Sequence, residues 1–180
     1  MRRPLLVALL AVLASALLSI APAFASVAPE PSARAVRPEL DPPAGQKLVL
    51  RALGTGSQVY DCNAATGRWT FREPVAILHR HGRTIGIHYV GPTWELFDGS
   101  KVAAAVEKNV PAPNPAKDIP RLLLKATSNA GSGVLSTVDY IQRLHTHGGV
   151  APDGGACDPA TDTSVGVHYT AVYAFYSGRA

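Results

Sequence analysis

Val165-Gly-Val-His-Tyr-Thr-Ala-Val-Tyr-Ala-Phe175 is the stretch that decides the fold class. Val165, Val167, Tyr169, Ala171, Tyr173 and Phe175 share one parity, and Gly166, His168, Thr170, Val172 and Ala174 share the other. Successive strand side chains point to opposite faces, whereas an apolar helix stripe recurs every three or four residues. This alternation, carried by β-branched and aromatic residues, therefore predicts a half-buried strand. The first set is the expected core face, with His168 and Thr170 outside. Residues 84–90 alternate in the same way: Ile85, Ile87 and Tyr89 form the expected core face, opposite Thr84, Gly86 and His88. Further strand candidates are 47–53, 58–62, 68–71, 76–79, 94–97, 121–127 and 138–146, separated by Gly- and Pro-bearing turns. Residues 101–108 have good helix formers, yet they alternate at Val102, Ala104 and Val106 and follow the turn signal Asp98-Gly99-Ser100, so they are assigned to a strand. The pattern implies an all-β, single-domain protein, either an antiparallel β-sandwich or a partly closed β-barrel.

The chain opens with basic Arg2 and Arg3, an apolar run at 5–20, and Ala23-Phe24-Ala25. That order is the layout of a secretory signal peptide over 1–25, and the apolar run is short of the ~20 residues that span a bilayer. The product is expected to be secreted or otherwise extracytoplasmic, without stable membrane insertion after cleavage. Removing the leader takes Arg2 and Arg3 from a formal net charge of +4, leaving a domain too nearly neutral for a nucleic-acid binder. Residues 26–45 carry Pro29, Pro31, Pro38, Pro42 and Pro43 with few large apolar residues, and read as a linker to a domain at 46–178. Cys62 and Cys157 are the two cysteines of the chain. In an exported protein an even count reads as a disulfide. The rival reading, a Cys nucleophile paired with a histidine, needs a free thiolate beside a second cysteine in an oxidising compartment.

Several phrases come in an order that resembles a known family. They are Gln58-Val-Tyr-Asp-Cys62, Trp69-x-Phe71, Gly86-x-His88-Tyr89-x-Gly91-Pro92-x-Trp94-Glu95 and Asp98-Gly99-Ser100-x-Val102. Ile119-Pro-x-Leu-Leu-Leu124, Ile141-Gln-Arg143, Thr146-x-Gly148-Gly149-x-Ala151-Pro152, Cys157-Asp158 and Tyr169-x-Ala171-x-Tyr173-x-Phe175-Tyr176 follow. Together, over about 48–176, they resemble domain-of-unknown-function family 3455, a group of small secreted bacterial and fungal proteins. The resemblance implies no particular activity. Some fungal relatives are labelled malate dehydrogenase, but this chain has no G-x-G-x-x-G between a strand and a helix. It departs from the family pattern at Arg121, usually Trp, and at His145 and His147, so a site common to the family should not depend on those histidines.

The densest group of chemistry-bearing side chains is His88, Trp94, Glu95, Asp98 and Ser100. Gly91-Pro92 can reverse the chain between two strands, so an imidazole, an indole and two carboxylates are expected to converge on one concave surface. His88 with Glu95 or Asp98 would suit general acid/base work, and the indole beside polar groups would suit a ligand. The plainer reading makes Trp94 core, His88 and Glu95 a fixed polar contact, and Asp98-Gly99 turn chemistry. His79-x-His81 and His145-x-His147 each place two imidazoles on one strand face, as a Zn²⁺ or Cu²⁺ site needs, but no third ligand is spaced to complete one. No nucleophile elbow is present, and no cofactor is expected. The leading expectation is a non-catalytic binder of a small molecule, glycan or cell-envelope component. A secreted hydrolase-like enzyme using His88 with Glu95 or Asp98 is the alternative, and a structural envelope or stress protein is a third. No nucleic-acid partner is expected.

Overall fold

The computed structural model describes residues 38–179, all within one unit of the chain, residues 35–180. Eight strands follow in order: β1 (Lys47–Asn63), β2 (Arg68–Arg80), β3 (Arg83–Tyr89), β4 (Thr93–Leu96), β5 (Lys101–Val110), β6 (Arg121–Ala130), β7 (Tyr140–Gly148) and β8 (Ser164–Ser177). Each pairs antiparallel with the next, and β8 pairs with β1 from Lys47↔Ser177 to Asp61↔Ser164. The all-β expectation therefore takes the form of a fully closed up-and-down barrel, which leaves no sheet edge. Residues 101–108 lie in β5 as a strand. In this topology alternate connections fall at opposite ends. The β1–β2, β3–β4, β5–β6 and β7–β8 connections gather at one end, and the β2–β3, β4–β5 and β6–β7 connections at the other.

Two pairs of predicted strands merge. Residues 47–53 and 58–62 are one strand, because Gly54 and Gly56 between them are points of close approach rather than turns. A Cβ on Gly54 would lie 2.6 Å from Cε2 of Tyr173, and one on Gly56 would run into the backbone of Val75 and Ala76. Residues 68–71 and 76–79 are likewise one strand, β2, with Pro74 beside the register shift that sets Val59↔Glu73 next to Tyr60↔Phe71. Proline is tolerated in strands at such irregularities.

The parity of β8 is as expected: Tyr169, Ala171, Tyr173 and Phe175 are fully buried, and His168 is exposed. The parity of β3 is the reverse of the expectation. His88 and Gly86 face the interior, Ile87 is exposed and Tyr89 is half-buried. The reason lies across the barrel wall, where His88 pairs with Trp94 and Gly86 with Leu96. The indole fills the interior at this level, and a side chain on Gly86 would meet the Glu95 carbonyl oxygen and Leu96. A small closed interior admits large side chains only opposite small or flat ones. Ile87 takes the outer face, while Ile85, at the β2–β3 register shift, is half-buried against the core.

The β2–β3 end of the barrel is plugged by the 3₁₀ turn Val134–Thr137, with Leu135 and Val138 fully buried. A second, smaller apolar cluster lies outside the wall, where Leu40 packs with Val110, Leu123 and Leu144. Leu40 sits in the 3₁₀ turn Pro38–Leu40, and its carbonyl accepts a hydrogen bond of 2.7 Å from Gln142 Nε2. Residues 38–45, placed in the linker by composition, thus begin with a docked segment, so the folded unit starts earlier than 46. The proposed leader and the linker before residue 38 lie outside the described residues. Cys62 and Cys157 form the disulfide, with Cα atoms 5.9 Å apart. It fastens the β7–β8 connection to the β1–β2 hairpin, beside hydrogen bonds from Cys62 N to Thr163 O and from Cys157 N to Gly67 O.

Candidate functional site

At the disulfide-bearing end the barrel is open, and a cavity of about 550 Å³ enters it. Ligand cavities fall in the ~300–1,000 Å³ range. Its floor is built of buried residues from five strands: Gln58 on β1, His88 on β3, Trp94 on β4, Leu122 and Leu124 on β6, and Tyr173 on β8. Half-exposed Phe71, Val90 and Val106 form the rim. Arg143 on β7 and Tyr60 on β1 also line it, with Ile119 and Pro120 from the β5–β6 connection and Arg72 on β2.

His88 and Trp94 are a directly opposed cross-strand pair, and their rings stack at 4.3 Å with an interplanar angle of 6°. Tyr173 meets His88 edge-on at 5.0 Å. His88 Nδ1 lies 2.8 Å from the Thr93 carbonyl oxygen. A carbonyl only accepts, so Nδ1 carries the proton. Burial pushes the imidazole down to about 3; the Thr93 hydrogen bond opposes this and the positive charge of Arg143 adds to it. His88 is thus neutral in the physiological range, and its Nε2 is an acceptor.

Glu95 and Asp98 do not join it. Trp94 and Leu96 point inward, so period two turns Glu95 outward. There it accepts a 2.7 Å hydrogen bond from the Tyr89 hydroxyl and pairs with Lys101 at 3.0 Å. Those two contacts hold its carboxyl below the usual range. Asp98 belongs to the β4–β5 turn, at the opposite end of the barrel from the cavity. Its Oδ1 accepts from the Ser100 hydroxyl at 2.6 Å and from Ser100 N at 2.9 Å, and its Oδ2 accepts from Val134 N at 2.9 Å. Ser100 Oγ in turn accepts from Leu135 N at 3.0 Å. Asp98 and Ser100 clamp the 3₁₀ plug. The expected convergence of His88 and Trp94 with Glu95, Asp98 and Ser100 is therefore corrected to His88 with Trp94 alone.

The His-x-His pairs gather no third ligand. His81 is in the exposed β2–β3 turn, and His79 is half-buried with Nδ1 3.5 Å from Thr84 Oγ1. His145 and His147 are exposed on the outer wall, at a register shift of β7. No group of three or more His, Cys, Asp or Glu among the described residues is placed to hold a metal ion.

Sequence reasoning passed over Arg143. It lies on the inward parity of β7 with buried Ile141, cross-strand from Leu122 and Tyr173. Its Nε donates to the Pro120 carbonyl at 3.0 Å, and no carboxylate among the described residues pairs with it. The available signal was parity, since Arg143 shares a face with Ile141 in a predicted strand. In the sequence Gln58 and Tyr60 carry only the family resemblance and Tyr173 reads as core; their part in the cavity follows from closure of β1 on β8.

Fold and site define an eight-stranded antiparallel barrel with a small-molecule-sized cavity at its open end, lined by a neutral histidine, an indole and an arginine. A family model described as protein of unknown function, DUF3455, matches residues 79–177, which is more than half of the chain. The protein belongs to that family. The match runs from the end of β2 to the last residue of β8 and includes His88, Trp94, Arg143 and Tyr173. No curated protein and no solved structure matches the chain.

Proposed function

We propose that this protein is exported and binds a small molecule, without turnover, inside the open end of its barrel. The observation that carries the reading is the cavity itself, whose buried floor combines apolar walls with a few fixed polar groups. That composition is how small-molecule sites are built. Apolar walls favour a small amphipathic ligand over a glycan, which would need polar partners for its many hydroxyls. The hydrolase alternative lacks a carboxylate within the cavity to orient His88, and a base held at about 3 is far from the working pH at which proton transfer is efficient. For export, the disulfide is compatible with an extracytoplasmic location, and the leader reading of 1–25 adds to it.

Trp94 gives the test its reporter. With Trp69→Phe leaving Trp94 as the sole indole, a small-molecule library is screened for saturable fluorescence change, then repeated with Val106→Phe, which narrows the rim. Saturable signals lost in the narrowed variant support the reading. Signals indifferent to Val106→Phe place binding elsewhere and refute it. Export is tested by N-terminal sequencing of the mature protein, expected to begin at Ser26.

A further inference from the structure

We propose that the ligand of this cavity is a small organic acid, with an apolar body in the barrel and its single carboxylate paired with Arg143. The proposal rests on the ligand-binding reading above and names its ligand class. Arg143 brings a full positive charge into a largely apolar interior, a placement that is costly without a counter-ion. None of the residues lining the cavity is Asp or Glu. The other lining cation, Arg72, is satisfied outside by Asp61 at 2.8 Å and Glu73 at 3.0 Å. In the adjoining recess Asp118 is engaged by Gly148 N at 2.8 Å.

Nor do the neighbouring phenols supply the missing charge. Tyr60, Tyr169 and Tyr173 lie close enough to Arg143 to interact with it electrostatically. Burial pushes all three phenols up, so they remain neutral beside the guanidinium. Arg143 is a cation in want of an anion.

Uncommitted hydrogen-bond groups point the same way. Trp94 Nε1 is a buried donor with no partner, and Gln58 Nε2, which makes no hydrogen bond of good geometry, lies near the Tyr169 hydroxyl; both residues line the cavity. The Tyr169 and Tyr173 hydroxyls lie 3.0 Å apart, and the Tyr173 hydroxyl also lies beside the Arg143 guanidinium. Buried donors without acceptors are rare, and such donors sharing one cavity with a guanidinium can serve as an anion receptor. A single guanidinium offers a planar fork matched to one carboxylate and balances one charge, which favours a monocarboxylate over a phosphate dianion. The apolar body would lie against Trp94, Leu122 and Leu124, with Phe71 and Val106 at the rim.

The test uses the full chain with its disulfide intact and the Trp94 fluorescence reporter. The probes are 2-naphthoate and 4-phenylbutyrate, each beside its primary amide. The acids should bind at least tenfold tighter than their amides, the discrimination a charge-assisted bidentate contact gives. Arg143→Gln should weaken the acids about 10- to 100-fold and leave acid and amide equal, while Arg143→Lys retains part of the preference. Acids and amides binding wild type equally would overturn the organic-acid proposal and leave small-molecule binding standing. An acid preference that survives Arg143→Gln would overturn the role of Arg143. No binding by any of the four at millimolar concentration would count against both readings. Should Arg143→Gln fail to fold, the acid–amide comparison in wild type decides alone.

Discussion

His88 makes the barrel sensitive to mild acid, and the size of the effect follows from its burial. In the unfolded chain an imidazole titrates near ~6.5. In the barrel, burial beneath Trp94 and Tyr173, with Arg143 nearby, holds it at about 3. Below pH 6.5 the unfolded state therefore binds a proton that the folded state refuses, so stability falls as pH falls. The contribution is fully present above pH 6.5, declines by up to ~1.4 kcal/mol per pH unit below it, and flattens beneath the folded value. Between pH 7.5 and 5.0 the loss from this one residue comes to about 2 kcal/mol. Urea unfolding of wild type and His88→Phe at the two pH values isolates it. Phenylalanine keeps a ring against Trp94 and leaves the Thr93 carbonyl without its donor, a penalty of about 1–3 kcal/mol that is the same at both pH values and cancels. Carboxylates and the other histidines titrate in both proteins and cancel as well. Wild type should lose about 2 kcal/mol more than the variant on acidification. Equal losses, within about 0.5 kcal/mol, would refute a buried neutral His88.

Three further outcomes are expected. The cysteines are 95 residues apart in sequence, and the chain-entropy model puts the loss for Cys62→Ala/Cys157→Ala at up to about 4.7 kcal/mol at 25 °C. Denaturant titration without reductant measures it, and a loss below about 1 kcal/mol would show that the bridge does little to fix the β7–β8 connection. Leu40→Ala should destabilise by about 2–5 kcal/mol, because Leu40 is fully buried against Val110, Leu123 and Leu144; an unchanged unfolding midpoint would mean that residues 38–40 do not dock on the wall. Glu95→Gln should leave both the midpoint and ligand-induced Trp94 fluorescence unchanged, since Glu95 lies outside the barrel with Tyr89 and Lys101. Loss of binding in that variant would return the outer face of β4 to the site.

Local chain chemistry was enough for the class of fold. Period two in 165–175 and in 101–108 reflects the pleat of a single strand, and it needs no partner to be recognised. The disulfide was equally legible, because two cysteines allow one intramolecular pairing. Alternation says which residues share a face, but not which face is inside. On β8, bulky Tyr169, Tyr173 and Phe175 settled that question, since no outer surface would hold them. On β3 the choice lay between Ile87 and His88, and Trp94 on the neighbouring strand decided it by filling the space opposite His88. Gly54 and Gly56 read as a turn because a sequence does not display the Tyr173 ring and the β2 backbone that press against them. The same limit separated His88 from Glu95 and Asp98, which are near in sequence but are sent outward by parity and to the far end by topology. Arg143 joined His88 and Trp94 only because eight strands closed into a ring, bringing β7 to face β3 and β4 across one interior. Period and composition are properties of a segment; a cavity belongs to the closure of the whole sheet.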